Sequence, residues 1–190
     1  MVERGATYSR IDLDDYATPV YVVRAIVSHL HKTCYALAPC VVDPCAGTGN
    51  VVKSLQKAGY ATVGLDIKRN RFNFLYDEIC APEEFDILTN PPYGVGGRLA
   101  LRFVERALDV TKPWMGKVVM LLPADFDSGV TRQPVFNHPA FAHKVILTRR
   151  IKWFDGQSGS TNHAWYVWDW KHSGSTTLSY MEGGKTTHRL

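Results

Sequence analysis

Eight consecutive residues, Asp43-Pro-Cys-Ala-Gly-Thr-Gly-Asn50, combine a carboxylate with two glycines where a strand should turn into a helix. Glycines at such a turn permit positive φ and let a ligand approach the bare backbone. A second carboxylate, Asp66, follows Gly49 at close to the roughly 20-residue spacing at which an acid reaches ribose hydroxyls in nucleotide-binding βαβ units. Taken alone, a G-x-G turn can be purely structural. With an acid before it and an acid after it, the pattern points to a nucleoside ligand. A phosphate ligand fits less well, because the loop holds an acid and no lysine. Metal binding is not expected either. His29-x-His31-x2-Cys34 with Cys40 and Cys45 offers donors, but no Cys-x2-Cys pair exists and the spacing matches no zinc pattern.

The elements that must hold these residues alternate along the chain. Thr18-Pro19 predicts a helix start, with threonine as N-cap and proline in the first turn. Val20, Val23, Ile26, Val27 and Leu30 then recur at helical spacing. Val41 to Asp43 reads as a buried strand, and Val51, Val52, Leu55 and Ala58 as a helix that ends at Gly59. Tyr60 to Asp66, Phe85 to Thr89, Lys117 to Leu122, Lys144 to Leu147 and Ala164 to Trp170 read as further strands, with a helix from Arg98 to Val110. Such alternation predicts a mostly parallel sheet with helices on both faces. The last two strands lack a helix between them, so the sheet is expected to finish antiparallel. Ligands in such sheets bind at the carboxyl ends of the strands, where the turns after Asp43, Asp66 and Thr89 lie.

Composition sets the outer bounds. The chain has 190 residues, 45% hydrophobic and 21% charged, with a formal charge of +4. That is enough apolar content for one packed domain and too much for a disordered chain. No run approaches a membrane span, and the first residues do not read as a signal peptide. Four cysteines without a secretory signal suggest reduced thiols and a cytoplasmic setting. The mild positive charge permits a nucleic-acid partner without demanding one.

At this point the residues carry a family resemblance. Asp43-Pro-Cys-Ala-Gly-Thr-Gly49 resembles the glycine loop of class I S-adenosylmethionine-dependent methyltransferases, and Thr89-Asn-Pro-Pro-Tyr93 resembles the Asn-Pro-Pro-Tyr motif of those that methylate planar amino nitrogens, chiefly N6 of adenine in DNA. Tyr16-Ala-Thr-Pro19, lying before the glycine loop, is similar to the Thr-Pro element of the gamma-type motif order. The resemblance spans residues 16–170. It implies a Rossmann-like α/β fold with a mostly parallel seven-stranded sheet, and S-adenosyl-L-methionine as cofactor. It also implies cofactor contacts from Thr18, Pro19, Asp43 (to the methionine amino group), Cys45, Gly47, Gly49, Asp66 (to the ribose), Ile67 and Asn90. Asp77 sits where the family often has an acid near the cofactor adenine, and could equally be a solvated loop residue.

The implied chemistry belongs to Asn90, Pro91, Pro92 and Tyr93. An exocyclic amine is a poor nucleophile because its lone pair is delocalised into the ring. Two fixed acceptors, the Asn90 side-chain oxygen and the Pro91 carbonyl, can bind its N–H groups and favour a pyramidal nitrogen. Tyr93 would stack on the base, which must be flipped out or already unpaired. A second aromatic wall is expected from Arg149-Arg-Ile-Lys-Trp-Phe154, with Trp153 fitting the register best and Phe154 as the alternative. His163 reads as a core or lip residue. Arg98, Arg102 and Arg106 recur every four residues and form one helical stripe which, like Lys68, Arg69 and Arg71, is either a seat for backbone phosphates or a solvated face.

The organisation expected is an arm over 1–15, a methyltransferase domain over 16–172 and a tail or edge segment over 173–190. The family usually carries a target-recognition domain after the last catalytic strand, whereas about twenty residues follow Trp170 here. This departure suggests a compact phage- or prophage-like form with weak sequence selectivity. Adenine in RNA, a protein glutamine amide, and a non-catalytic binding subunit are the competing readings.

Overall fold

The computed structural model describes residues 16–80, 84–154 and 157–182; the expected arm and the end of the expected tail lie outside them. Short apolar runs form strands β1 (Cys40–Asp43), β2 (Ala61–Gly64), β3 (Phe85–Thr89) and β4 (Lys117–Pro123). They are followed by β5 (Phe141–Leu147), β6 (Lys152–Phe154), β7 (Gln157–Ser158), β8 (His163–Asp169) and β9 (Thr177–Met181). Seven of them make one sheet in the order β2-β1-β3-β4-β8-β5-β9, and β6 pairs with β7 in a separate ribbon. The pairs β1/β2, β1/β3 and β3/β4 are parallel. Strand β8 enters between β4 and β5, antiparallel to both.

Side-chain alternation explains why this sheet is covered on both faces. On β4, Val119 and Leu121 join one apolar cluster, while Val118, Met120 and Leu122 join the other. Helix α1 (Val20–His31) buries Val22, Val23, Ile26, Val27 and Leu30 in the first cluster, together with Val51 and Leu55 of α2 (Asn50–Lys57). Helix α3 (Arg98–Thr111) buries Ala100, Phe103, Val104, Ala107 and Leu108 in the second, where the short α4 (Gln133–Phe136) adds Val135. Each fully buried aliphatic side chain contributes about 1.5–3 kcal/mol. The stability therefore sits in these two layers, and the turns at the strand ends are left for other uses.

Several sequence expectations shift. Thr18 does not cap α1: Pro19, with φ −63° and ψ 139°, is the flanking residue, and no side-chain cap bond forms. Thr18 is instead buried, its carbonyl accepting a bond from Asn50 Nδ2 at 3.1 Å, which ties the approach to α1 onto the start of α2. The strand expected through Asp66 stops at Gly64: the Leu65 N–H still bonds the Asp43 carbonyl, but the Leu65 carbonyl accepts the Ala46 N–H of the glycine turn. Strand β5 starts three residues before the expected Lys144. Part of the expected tail is the edge strand β9, parallel to β5. Among the described residues, no helix is long and apolar enough to cross a membrane.

Candidate active site

The carboxyl ends of β1, β2 and β3 open on one cavity of about 220 Å³. Of the expected cofactor residues, Thr18, Cys45, Gly47, Asp66, Ile67 and Asn90 line it; Pro19, Asp43, Gly49 and Asp77 do not. Gly47 and Gly49 both have positive φ, 44° and 81°. Gly49 flanks the first turn of α2, and an added Cβ there would meet only ordinary contacts, so its φ is what requires glycine.

Asp43 stands just behind the lining residues Pro44 and Cys45 and is 1% exposed. Its Oδ1 accepts the Thr89 hydroxyl at 2.7 Å and the Cys45 N–H at 3.2 Å, while its Oδ2 has no hydrogen-bond partner among the described residues. Burial pushes its carboxyl up to about 7, opposed by those two donors and reinforced by the nearby Asp66 charge. Burial and the Asp43 charge likewise push the Cys45 thiol well up. A buried carboxylate oxygen of this kind suits a cationic donor.

Asp66 is occupied differently. Its Oδ2 accepts the Gly47 N–H at 3.0 Å, and its Oδ1 accepts the Lys68 and Arg69 N–H groups at 2.8 and 3.1 Å. The carboxylate therefore holds the glycine turn in place, and acceptor capacity for a further hydroxyl remains on Oδ2. Asp77 is exposed and accepts the Asn73 N–H at 2.7 Å, closing a loop rather than facing the cavity. That loop supplies what sequence reading missed: Phe72, Asn73, Phe74 and Leu75 line the same cavity as the glycine turn, joined by Leu99 and Phe103 of α3. The available signal was an apolar cluster, Phe72-x-Phe74-Leu75, inside an otherwise polar stretch. A cavity lined by both apolar side chains and a polar turn suits a flat heteroaromatic ring with a polar edge.

At the other side of the cavity, Asn90 Nδ2 donates to the Tyr16 carbonyl at 3.3 Å, and Asn90 Oδ1 lies 3.2 Å from the Tyr93 hydroxyl. Those two contacts set the orientation of the amide. Pro92 lines the cavity, while the buried Pro91 and the half-buried Tyr93 do not. The Tyr93 hydroxyl also reaches the Leu121 carbonyl at 3.2 Å, so its single proton is shared between two acceptors. Four rings run in series beside this turn: Tyr16 to Trp153 at 5.7 Å, Trp153 to His163 at 5.3 Å, and His163 to Tyr93 at 6.3 Å. Trp153 joins this series half-buried against the core and outside the cavity lining, while the side chain of Phe154 lies outside the described part. His163 is buried, its Nδ1 has no hydrogen-bond partner among the described residues, and burial lowers its pKa to about 4. It is neutral at pH 7.

The basic stripe divides. Arg98 is exposed beside the turn, and Arg102 lies over the exposed Tyr76 ring, donating to its hydroxyl at 3.1 Å. Arg106 instead donates to the carbonyls of Phe74 and Asp77, fastening the cavity loop to α3. The histidines weighed as metal donors are apart: His29 faces His143 and Ser179, and His31 pairs with the Tyr60 hydroxyl at 2.6 Å.

No protein-family model matches the sequence, and no curated protein does. Solved structures do. A protein from Listeria monocytogenes assigned as a class I S-adenosylmethionine-dependent methyltransferase matches with a TM-score of 0.64 and 14% identity, over 93% of this chain and 68% of that one. A protein from Pyrococcus horikoshii assigned as an RNA methyltransferase matches at 0.62 and 15%, over 87% and 92%. The type I restriction-modification methyltransferase subunit from Streptococcus thermophilus matches at 0.58 and 13%, over 84% of this chain and 46% of its own, so the chain spans about half that subunit. At these identities the likeness is one of architecture: the chain has the Rossmann-like class I methyltransferase fold.

Proposed function

We propose that the chain transfers a methyl group from S-adenosyl-L-methionine to the exocyclic N6 amine of adenine in DNA. The observation that carries this reading is the adjacency of two devices in one cavity: the glycine turn with Asp66, and the oriented Asn90 amide in Asn-Pro-Pro-Tyr. The buried Asp43 oxygen fits the cofactor's ammonium group, Asp66 has room for one ribose hydroxyl, and Phe72 to Leu75 fit its adenine. Thr18, Cys45, Gly47 and Ile67 complete that half, with Pro19 and Gly49 shaping it from behind the lining.

When bound, the cofactor supplies an electrophilic methyl group on a sulfonium. Asn90 Oδ1 and the Pro91 carbonyl accept the two N–H groups of the target amine and favour the pyramidal nitrogen that attacks. Tyr93 and Trp153 hold the unstacked base, an interaction worth about 1–3 kcal/mol per base. The Tyr93 hydroxyl turns to Leu121 as the amine takes over Asn90. The proton leaves to solvent after transfer, so no general base is needed at the turn. Arg98 and Arg102 position backbone phosphate.

Adenine in RNA is the second reading, favoured by the near-complete overlap with the Pyrococcus horikoshii protein. The test is incubation with methyl-labelled S-adenosyl-L-methionine and single-stranded DNA, duplex DNA, RNA and a glutamine peptide in parallel, followed by product analysis. Label in deoxyadenosine supports the proposal. Label confined to RNA or to peptide replaces it, and cofactor binding without transfer to any arm reduces the chain to a binding subunit.

A further inference from the structure

Among the described residues, Val95 and Val130 are the most exposed large apolar side chains, each 79% exposed. Both open a single 3-10 turn, Val95–Gly97 and Val130–Arg132, on the segments that follow β3 and β4 at their carboxyl ends. Neither turn is loose. Arg132 Nη2 donates to the Gly96 carbonyl and Nη1 to the Phe126 carbonyl, both at 2.7 Å, and its guanidinium lies 4.0 Å from the Phe126 ring centre. Gly97, at φ +76°, lets the two turns meet, since a Cβ there would lie 2.8 Å from Arg132 Nη2 and 3.0 Å from Phe126. The result is a braced pair of loops carrying two bare valines, the first of them two residues after Tyr93, with the exposed Arg98 directly after its turn.

We infer that Val95 and Val130 form an apolar wedge that enters a nucleic-acid base stack and fills the gap left by the base drawn into the site. The inference rests on the nucleic-acid reading above and deepens it. Apolar wedges on rigid supports are how proteins unstack a base step, and an unstacked target is what amino methylation requires. A neighbouring cation selects a polyanion over an apolar protein surface as the occupant. The bracing by Arg132 keeps the wedge ordered before contact, so little ordering is lost on insertion.

The experiment compares the intact chain with Val95→Ser, Val130→Ser and the double variant, on one oligonucleotide offered as duplex and as single strand. Methylation is read on the adenine oligonucleotide, and base extrusion by fluorescence on a parallel copy with 2-aminopurine, which lacks the N6 amine, at the target position. The duplex rate should fall about tenfold in the double variant, with loss of the fluorescence rise, while the single-strand rate stays within about twofold. Both substitutions are on exposed side chains, and unchanged S-adenosyl-L-methionine affinity confirms the fold. Equal loss on both substrates, or no loss on either, overturns the wedge; the second result leaves these valines to a protein partner. If the intact chain methylates neither substrate, the functional reading fails first, and the wedge falls with it.

Discussion

Two buried carboxylates at opposite ends of the parallel strands are treated in opposite ways. Asp86, beside the amino end of β3, has both oxygens engaged: Oδ1 accepts the Lys117 N–H at 2.6 Å and Oδ2 the Ala38 N–H at 2.7 Å, with Lys117 Nζ 4.0 Å away. Asp43, at the carboxyl end of β1, keeps Oδ2 without a partner among the described residues. Burial raises both pKa values. The amino end uses its acid to tie Ala38, before β1, to the start of β4. The carboxyl end leaves an acceptor unsatisfied, a cost a folded chain tolerates where a ligand supplies the donor. Substitutions at the two ends should therefore fail in different ways.

Asn90→Ala should show the largest effect at the carboxyl end. Methyl transfer is expected to fall roughly 10²–10³-fold, the scale of one lost preorganised contact to reacting atoms. Cofactor affinity by calorimetry should stay within a few-fold, and a loss of both together would make Asn90 structural. At the amino end, Asp86→Ala leaves two half-buried N–H groups without their acceptor and should cost about 2 kcal/mol of stability in denaturant titration. A change below about 1 kcal/mol would erase the contrast between the ends.

A smaller effect sharpens the contrast through pH. Asp43 is raised to about 7, against about 3.9 when unfolded. The ligand-free fold thus retains a proton that the unfolded chain releases between those values. This stabilising contribution is complete below about pH 4 and is lost as pH rises through 7. An ammonium ligand needs the ionised form, so cofactor affinity should rise between pH 6 and 8. Asp43→Asn should flatten that rise and weaken binding about tenfold, and an unchanged profile would remove Asp43 from the site. Smallest is the effect of Arg98→Ala with Arg102→Ala. It should reduce the salt dependence of nucleic-acid binding by about two counterions and lower activity similarly on every sequence.

The strand-to-helix alternation was legible because buried parallel strands need continuous apolar runs, and β1, β3 and β4 have them. Edge strand β9 was legible only as a tail or edge segment, since Thr177-Leu-Ser-Tyr-Met181 is paired on one side only and its exposed residues carry little pattern. In the site, Gly47, Asp66 and Asn90 were legible because each answers a backbone or hydrogen-bonding demand local to its turn. Phe72 to Leu75 face the cavity through a loop fastened by Arg106 and Asp77, a tertiary arrangement without periodicity. The same bonds explain why Asp77 and Arg106, which by type suggested ligand contacts, serve the loop instead.

The central claim is that Asn90 presents an acceptor to a nucleobase amine beside a bound S-adenosyl-L-methionine. Its most direct test is methyl-labelled cofactor with denatured DNA, supplied to the intact chain and to Asn90→Ala under conditions where both bind the cofactor, with digestion to nucleosides. The account predicts labelled N6-methyldeoxyadenosine from the intact chain and essentially none from the variant. Equal label from both, or cofactor binding by the intact chain with no labelled nucleoside, would contradict it.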